Sequence, residues 1–490
     1  MGKRQGGRGG GGAALRLILT PFGWLGALTI LFAAPGCRGA PAQVVQPHAS
    51  PAPIMPVMQG QMTANRIRGV WRSRGYGWVL TVSDRALELR HETAEGCYAD
   101  PAGTSEVLDL FRYSQAGPER AVYLFGHQGE TRVLFDRIER LPLSCSRERV
   151  WDAPAIFDIF AATFSEHYPF FKERGINWAA RVNAGRAEVS SGMPDQRLFD
   201  VLTKTLQGLG DAHVQIEAKI GADPLTYEDP HSRTLELLSA RARAAGQPEK
   251  EVERAWLRAY RKGVEQVILG GKGQHDASSR IFWGLAAPRV GYLNVITMGG
   301  YAKDAPLEKE IAALDLALDQ AMLAFAGASA VIVDVTNNRG GYDVIARSLA
   351  SRFAGEERLA YSKQAYRAHG VSPQIFHVEP STHTRFLGPV YLLTSDVTVS
   401  AGEVFALDMR ALPSVIHLGT PTRGAFSDVL VKPLPNGWTV HLSNEIYLDA
   451  KGHAVEGLGV SPQETIDFFP EGDLSGGHAA AVRRLVERIQ

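Results

Sequence analysis

The chain has 490 residues, more than one compact domain usually holds, and its 45% hydrophobic content is enough for a sizeable core and excludes a disordered protein. Lys plus Arg and Asp plus Glu each number 52. No block of like charge crosses the body of the chain, so nothing resembles a nucleic-acid footprint. The cysteines form no CxxC pair and none of the 14 histidines sits in an HExxH frame, so neither a metal nor another cofactor is expected.

Residues 1–37 form an export leader. Lys3, Arg4 and Arg8 precede an apolar run from Leu17 to Ala34, which ends in small residues before Gly36-Cys37. The Gly-Cys step resembles a bacterial lipoprotein box, with Cys37 as the lipid-attachment residue. An uncleaved apolar anchor is the alternative. Either way the expected location is the cell envelope, periplasmic or attached to the outer membrane.

Residues 38–65, rich in Pro, Ala and Gln, predict a flexible tether. Residues 66–148 predict a small all-β module, with short runs at Gly77–Val82, Leu87–His91, Val122–Phe125 and Arg132–Ile138. Cys97 and Cys145 flank these runs. With Cys37 in the leader they are the remaining pair, and an oxidising compartment predicts a disulfide, with two separate buried thiols as the alternative.

Residues 149–220 predict a helical segment. Pro154 opens a helix whose Phe157, Phe160, Phe164 and Tyr168 share one face, and a second helix covers Leu198–Leu206. It gives way at Gly208 and Gly210 to Asp211-Ala212-His213 and then a strand. Residues 221–281 predict two helical pieces broken at Gly246-Gln247-Pro248. Gly270-Gly271-Lys272-Gly273 lacks the Ser or Thr of a P-loop and is a loop. From 282 to 470 strand and helix alternate: strands at Val290–Ile296, Ala330–Val335 and Val390–Thr394, helices at Leu307–Phe325, Asp343–Phe353 and Ser400–Leu412, and a hairpin Leu430–Ser443 turning at Asn436-Gly437. This is a mixed α/β core, closed by a C-terminal helix in 471–490.

Four segments of this core carry candidate chemistry. Thr398-Val399-Ser400-Ala401-Gly402-Glu403 places a serine where a strand turns into a helix; Ser-x-x-Glu is also a capping box. Free N–H groups at such a helix start suit a developing oxyanion. Asp334 to Tyr342 puts Gly340 and Gly341 in a loop where backbone can approach a substrate. Leu209-Gly210-Asp211-Ala212-His213 offers an imidazole, and Val455-Glu456-Gly457-Leu458-Gly459 a carboxylate. Each has an ordinary explanation alone, as a cap, a turn or a surface residue.

Taken in order, DVTNNRGGY, TSDVTVSAGE, GTPTRG and VEGLGVSP resemble the core of the C-terminal-processing serine peptidases and their tricorn relatives, over 154–220 and 282–470. The resemblance implies a ClpP/crotonase-like mixed α/β catalytic core and acyl-enzyme hydrolysis of a peptide or protein substrate. Ser400 would be the nucleophile, and Ala401 with Gly340 or Gly341 would supply oxyanion N–H groups. Where the processing branch has its lysine base, 25 residues after the serine, this chain has Ala425, so the base would be His213, as in the tricorn-like branch, with Glu456 orienting it. Ala212 replaces the serine that relays between carboxylate and imidazole in the tricorn pattern. No PDZ signature appears in 221–281. A catalytically silent ligand-binding module of the same fold and an esterase remain as alternative functions, and the number of subunits stays open.

Overall fold

In the computed structural model the described residues are 52–490, apart from 148, 229–231 and 277. The leader, Cys37 and residues 38–51 lie outside them.

The N-terminal part is an antiparallel sheet of eight strands, in the order Ile54–Pro56, Tyr113–Ala116, Val122–Phe125, Val133–Ile138, Gly69–Ser73, Trp78–Val82, Leu87–Thr93 and Gly96–Ala99. Two features differ from expectation. Ile54–Pro56 pairs with Tyr113–Ala116, and Val57 and Ala64 are buried, so residues 52–65 pack onto the sheet instead of hanging free. Helix α1 (Thr104–Leu110) interrupts the all-β run. With seven residues and only Val107 buried, it is too short to show a helical period. The sulfurs of Cys97 and Cys145 lie 1.95 Å apart, at bonding distance.

Helix α2 (Ala153–His167) starts where Asp152 accepts the Ala155 N–H at 3.1 Å. Its Phe157, Phe160 and Phe164 are fully buried. Helices α3 (Trp178–Glu188) and α4 (Asp195–Leu206) pack beside it, with Trp178 stacked on Phe171. The strand after α4, Gln215–Ile220, pairs antiparallel with Thr439–Ser443, Gln215 facing His441. This long-range pairing brings the His213 segment to the C-terminal part of the chain.

Residues 221–281 contain a strand, Asp223–Glu228, and a helical pair, α5 (Arg233–Ala245) and α6 (Glu249–Lys262). Gly246 ends α5 in a left-handed conformation, φ 63°, which glycine adopts without a side-chain clash. The pair is fastened to the core at the α5 start, where Ser232 and Thr234 donate three hydrogen bonds of 2.7–2.8 Å to Asp396.

The core sheet has seven strands, running from Gln274–His275 and Ile281–Ala287 through Val290–Val295, Ala330–Asp334, Val390–Thr394 and Val415–Gly419 to Glu464–Thr465. From Val290–Val295 onward the neighbours are parallel. The residues of Val290–Val295, Ala330–Asp334 and Val390–Thr394 are nearly all buried, as a sheet covered on both faces requires. Helices α7 (Leu307–Ala324), α8 (Asp343–Ala350) and α9 (Ala401–Arg410) pack around it, and α10 (Gly477–Ile489) closes the chain. The loops after two adjacent parallel strands, Ala330–Asp334 and Val390–Thr394, carry the two central candidate motifs. Ligand sites in open α/β sheets sit at such strand ends.

Candidate active site

Ser400 stands at the turn between Val390–Thr394 and α9. Its backbone has φ 58° and ψ −128°, a conformation that residues with a Cβ rarely adopt. A strained φ of this kind costs about 1–3 kcal/mol and persists only where its surroundings impose it. Here the Ser400 N–H is shared between the Ala425 carbonyl (3.0 Å) and the Glu403 carboxylate (3.2 Å). Thr398, two residues earlier, donates its hydroxyl to the Val335 carbonyl at 2.8 Å. Ser400 and Glu403 have the capping-box arrangement at the start of α9, and Ser400 is partly exposed.

The 337–341 loop lies directly against this turn. A Cβ placed on Gly340 (φ 81°) would fall 2.7 Å from the Ser400 Cβ and 3.2 Å from its Oγ. On Gly341 (φ 142°) it would fall 2.1 Å from the Met298 carbonyl oxygen. Both positions therefore require glycine, and the approach to Ser400 is by backbone. The Gly340 N–H is already donated to Asn338 Oδ1 at 2.9 Å, and Asn338 Nδ2 is anchored on the Val295 carbonyl at 2.9 Å. Among the described residues the N–H groups of Gly341 and Ala401 have no hydrogen-bond acceptor. Of the two glycines, Gly341 is thus the one with a free donor.

Glu403 was legible only as half of a capping box. It is fully buried and accepts from the Thr422 hydroxyl (2.5 Å), the Gly424 N–H (2.6 Å) and the Ala425 N–H (2.8 Å), besides Ser400. Burial pushes its pKa up to about 7, against the pull of those hydrogen bonds. This one carboxylate ties the 422–425 loop to the serine turn.

His213 is buried, and its N–H donates to Asp211 Oδ1 at 2.9 Å. Asp211 also accepts from the Tyr168 hydroxyl (2.9 Å) and the Ser443 hydroxyl (3.2 Å). Burial lowers the imidazole pKa below its usual 6.5, with Asp211 opposing, so the ring is neutral at neutral pH. Its Nδ1 is buried without a hydrogen-bond partner. No hydrogen bond joins His213 to Ser400 or to Glu456 among the described residues. Glu456 instead accepts the N–H groups of Phe426 (2.9 Å) and Ser427 (3.4 Å). Arg174 lies 3.7 Å from both Glu456 and Asp211, so the two carboxylates flank one guanidinium. Burial, and then Asp211, hold the Glu456 carboxyl well above the usual range. Asp211 and Arg174 were not singled out from sequence; an aspartate two residues before a candidate base was the one available signal.

No lysine among the described residues contacts Ser400. Ala425 is buried at the expected position. Lys363 Nζ is held by Asp428 and the Tyr447 hydroxyl, both at 2.7 Å, and Lys432 Nζ by the Tyr76 carbonyl at 2.5 Å. Neither contacts Ser400. Among the described residues no cluster of His, Cys, Asp and Glu could hold a metal ion.

A strained serine at a strand–helix turn, beside a glycine loop and free N–H groups, belongs to serine-type peptidases. Residues 289–466 match the model of peptidase family S41. Among solved structures, a protein of Parabacteroides merdae described as a candidate peptidase is similar at 22% identity and TM-score 0.54, over 69% of this chain and 97% of that one. Mature CPAF, solved with lactacystin, is similar at 12% identity and TM-score 0.50, over 69% and 98%. At these identities the likeness is one of fold. No curated protein matches the sequence.

Proposed function

We propose that the chain hydrolyses peptide bonds through an acyl-enzyme, with Ser400 as nucleophile and His213 as general base. The observation that carries this reading is the Ser400 turn: a partly exposed serine at a strand–helix junction, on a backbone held at φ 58° against Gly340. The serine hydroxyl attacks the peptide carbonyl as its proton passes to the neutral imidazole. The oxyanion that forms accepts hydrogen bonds from the N–H groups of Ala401 and Gly341. Protonated His213 then gives the proton to the leaving amine, and a water deprotonated by the same imidazole cleaves the acyl-enzyme. The His213–Ser400 bond closes with substrate present, since hydrogen bonds of this kind tighten in the Michaelis complex. Glu456 is the carboxylate of the site. Buried with Asp211 around Arg174, it holds the 426–427 backbone and is the group proposed to orient the imidazole.

The substrate is an exported peptide or protein, and the enzyme is held at the envelope through its leader, with a lipid on Cys37. Labelling with a fluorophosphonate and mapping the adduct tests the central claim. The expected result is an adduct on Ser400, lost together with peptide hydrolysis in Ser400→Ala. An intact protein that neither labels at Ser400 nor cleaves peptides would instead be a silent binding module.

A further inference from the structure

The 420–426 loop holds a charged residue that acyl transfer does not use. The main chain of Arg423 is clipped in place: its N–H donates to the Thr398 carbonyl at 3.0 Å, and the next two N–H groups go to Glu403. Its side chain is less well matched. Nε reaches the Asp396 carbonyl only at 3.5 Å, and Nη2 is buried with no hydrogen-bond partner. A buried guanidinium nitrogen without an acceptor is a standing penalty that a bound anion removes.

Arg423 lines a cavity of about 660 Å³ together with Ala212, the residue preceding His213. The cavity therefore adjoins the segment that carries His213 and, through the Arg423–Thr398 backbone bond, the turn that carries Ser400. Its far wall is the α5–α6 pair. There Glu249 is paired with Arg243 at 3.0 Å and Glu253 with Arg339 at 2.9 Å, while Glu253, Glu403 and Asp396 attract Arg423 without a direct side-chain hydrogen bond to it; Glu228 also lines the cavity. Glu236 and Lys250 sit on the exposed rim, one of each sign. Burial, with Arg339 nearby, lowers the Arg423 pKa to about 10, which still leaves it charged at neutral pH. The inner end of the cavity, next to the serine turn, is thus a cationic position within polar walls.

We propose that Arg423 is a specificity residue, binding a substrate carboxylate in this cavity next to the scissile bond. The planar guanidinium suits a carboxylate through two parallel hydrogen bonds, a match that a lysine cannot reproduce. The carboxylate comes either from an Asp or Glu side chain or from the free end of the peptide. This inference rests on Ser400 being the nucleophile.

The test uses the full exported chain and two sets of fluorogenic peptides. In one set, amidated at the C-terminus, Asp or Glu is exchanged for Asn or Gln position by position. In the other, neutral sequences carry either a free or an amidated C-terminus. The expected result is a ratio of kcat/KM, acid over amide, of roughly tenfold or more at one position, as a charged hydrogen bond supports. That ratio falls to about one in Arg423→Met and to an intermediate value in Arg423→Lys, as the loss of that bond predicts. Preference within the second set identifies the terminal carboxylate as the source. No acid preference in either set, or a preference that survives Arg423→Met, overturns the proposal. Calorimetric titration of the same peptides into Ser400→Ala protein separates this claim from the catalytic one. Acid-selective binding that is lost with Arg423→Met upholds the carboxylate site even if no peptide is cut, and equal binding of acid and amide overturns it.

Discussion

Substituting Gly340 by alanine probes the contact on which the site depends. The added methyl carbon would sit 2.7 Å from the Ser400 Cβ, so about 0.7 Å of movement is needed to restore an ordinary contact near 3.4 Å. The Val399 carbonyl oxygen, 3.1 Å away on the same side, narrows the room for escape. Misplacing a reacting group by about 1 Å costs roughly 10²-fold in rate. The left-handed φ of 81° adds a strain of about 1–3 kcal/mol in stability. Gly437 separates the two effects, because its φ is 84° and a Cβ there meets nothing within 4 Å. Gly340→Ala and Gly437→Ala should therefore both lower the urea midpoint through the shared φ strain, Gly340→Ala by more because of its added clash. Only the first should lower kcat/KM on a peptide substrate, by roughly 10²-fold, and slow fluorophosphonate labelling of Ser400. If both variants retain activity within about threefold of one another, the backbone approach of Gly340 is not what positions the serine.

The acid limb of kcat/KM against pH should lie below 6.5, since burial lowers the His213 pKa from that value, and His213→Ala should abolish turnover as completely as Ser400→Ala. Glu456→Gln should lower kcat by roughly tenfold or more with little change in KM, and an unchanged kcat would reduce Glu456 to a brace for residues 426–427. Burial depresses the Lys432 pKa from 10.5 to about 7, so between those values the unfolded chain binds more protons than the folded one. Stability from this group therefore rises with pH from about 7 to about 10.5, and Lys432→Met should flatten that rise in urea titrations. Alkylation before and after reduction should find Cys97 and Cys145 protected until reduced, and replacing both with serine should cost about 2–4 kcal/mol.

Much of the core was legible in the sequence. Buried apolar runs mark Val290–Val295, Ala330–Asp334 and Val390–Thr394, period-3.6 stripes mark α2 and α7, and Asn436-Gly437 marks the hairpin between Val429–Pro433 and Thr439–Ser443. The serine turn was readable because strand, turn and helix start are local signals, each set by a few neighbouring residues. Other elements were not readable. The strands Arg358–Ala365, Gln374–Val378 and Glu445–Asp449 form a separate small sheet with mixed exposed and buried positions, so they show neither clean alternation nor a continuous apolar run. What only the tertiary structure decided is which polar groups meet. The pairing of Gln215 with His441 carries His213 to the core, Asn338 takes the Gly340 N–H and leaves that of Gly341 free, and Glu403 gathers the 422–425 loop. Periodicity records which face of an element is buried, whereas the partner of a buried carboxylate or guanidinium is set by crossovers between residues far apart in sequence. For that reason Arg423 looks like any other loop residue in the sequence, and only in the folded chain is its Nη2 buried without a hydrogen-bond partner at the edge of a cavity.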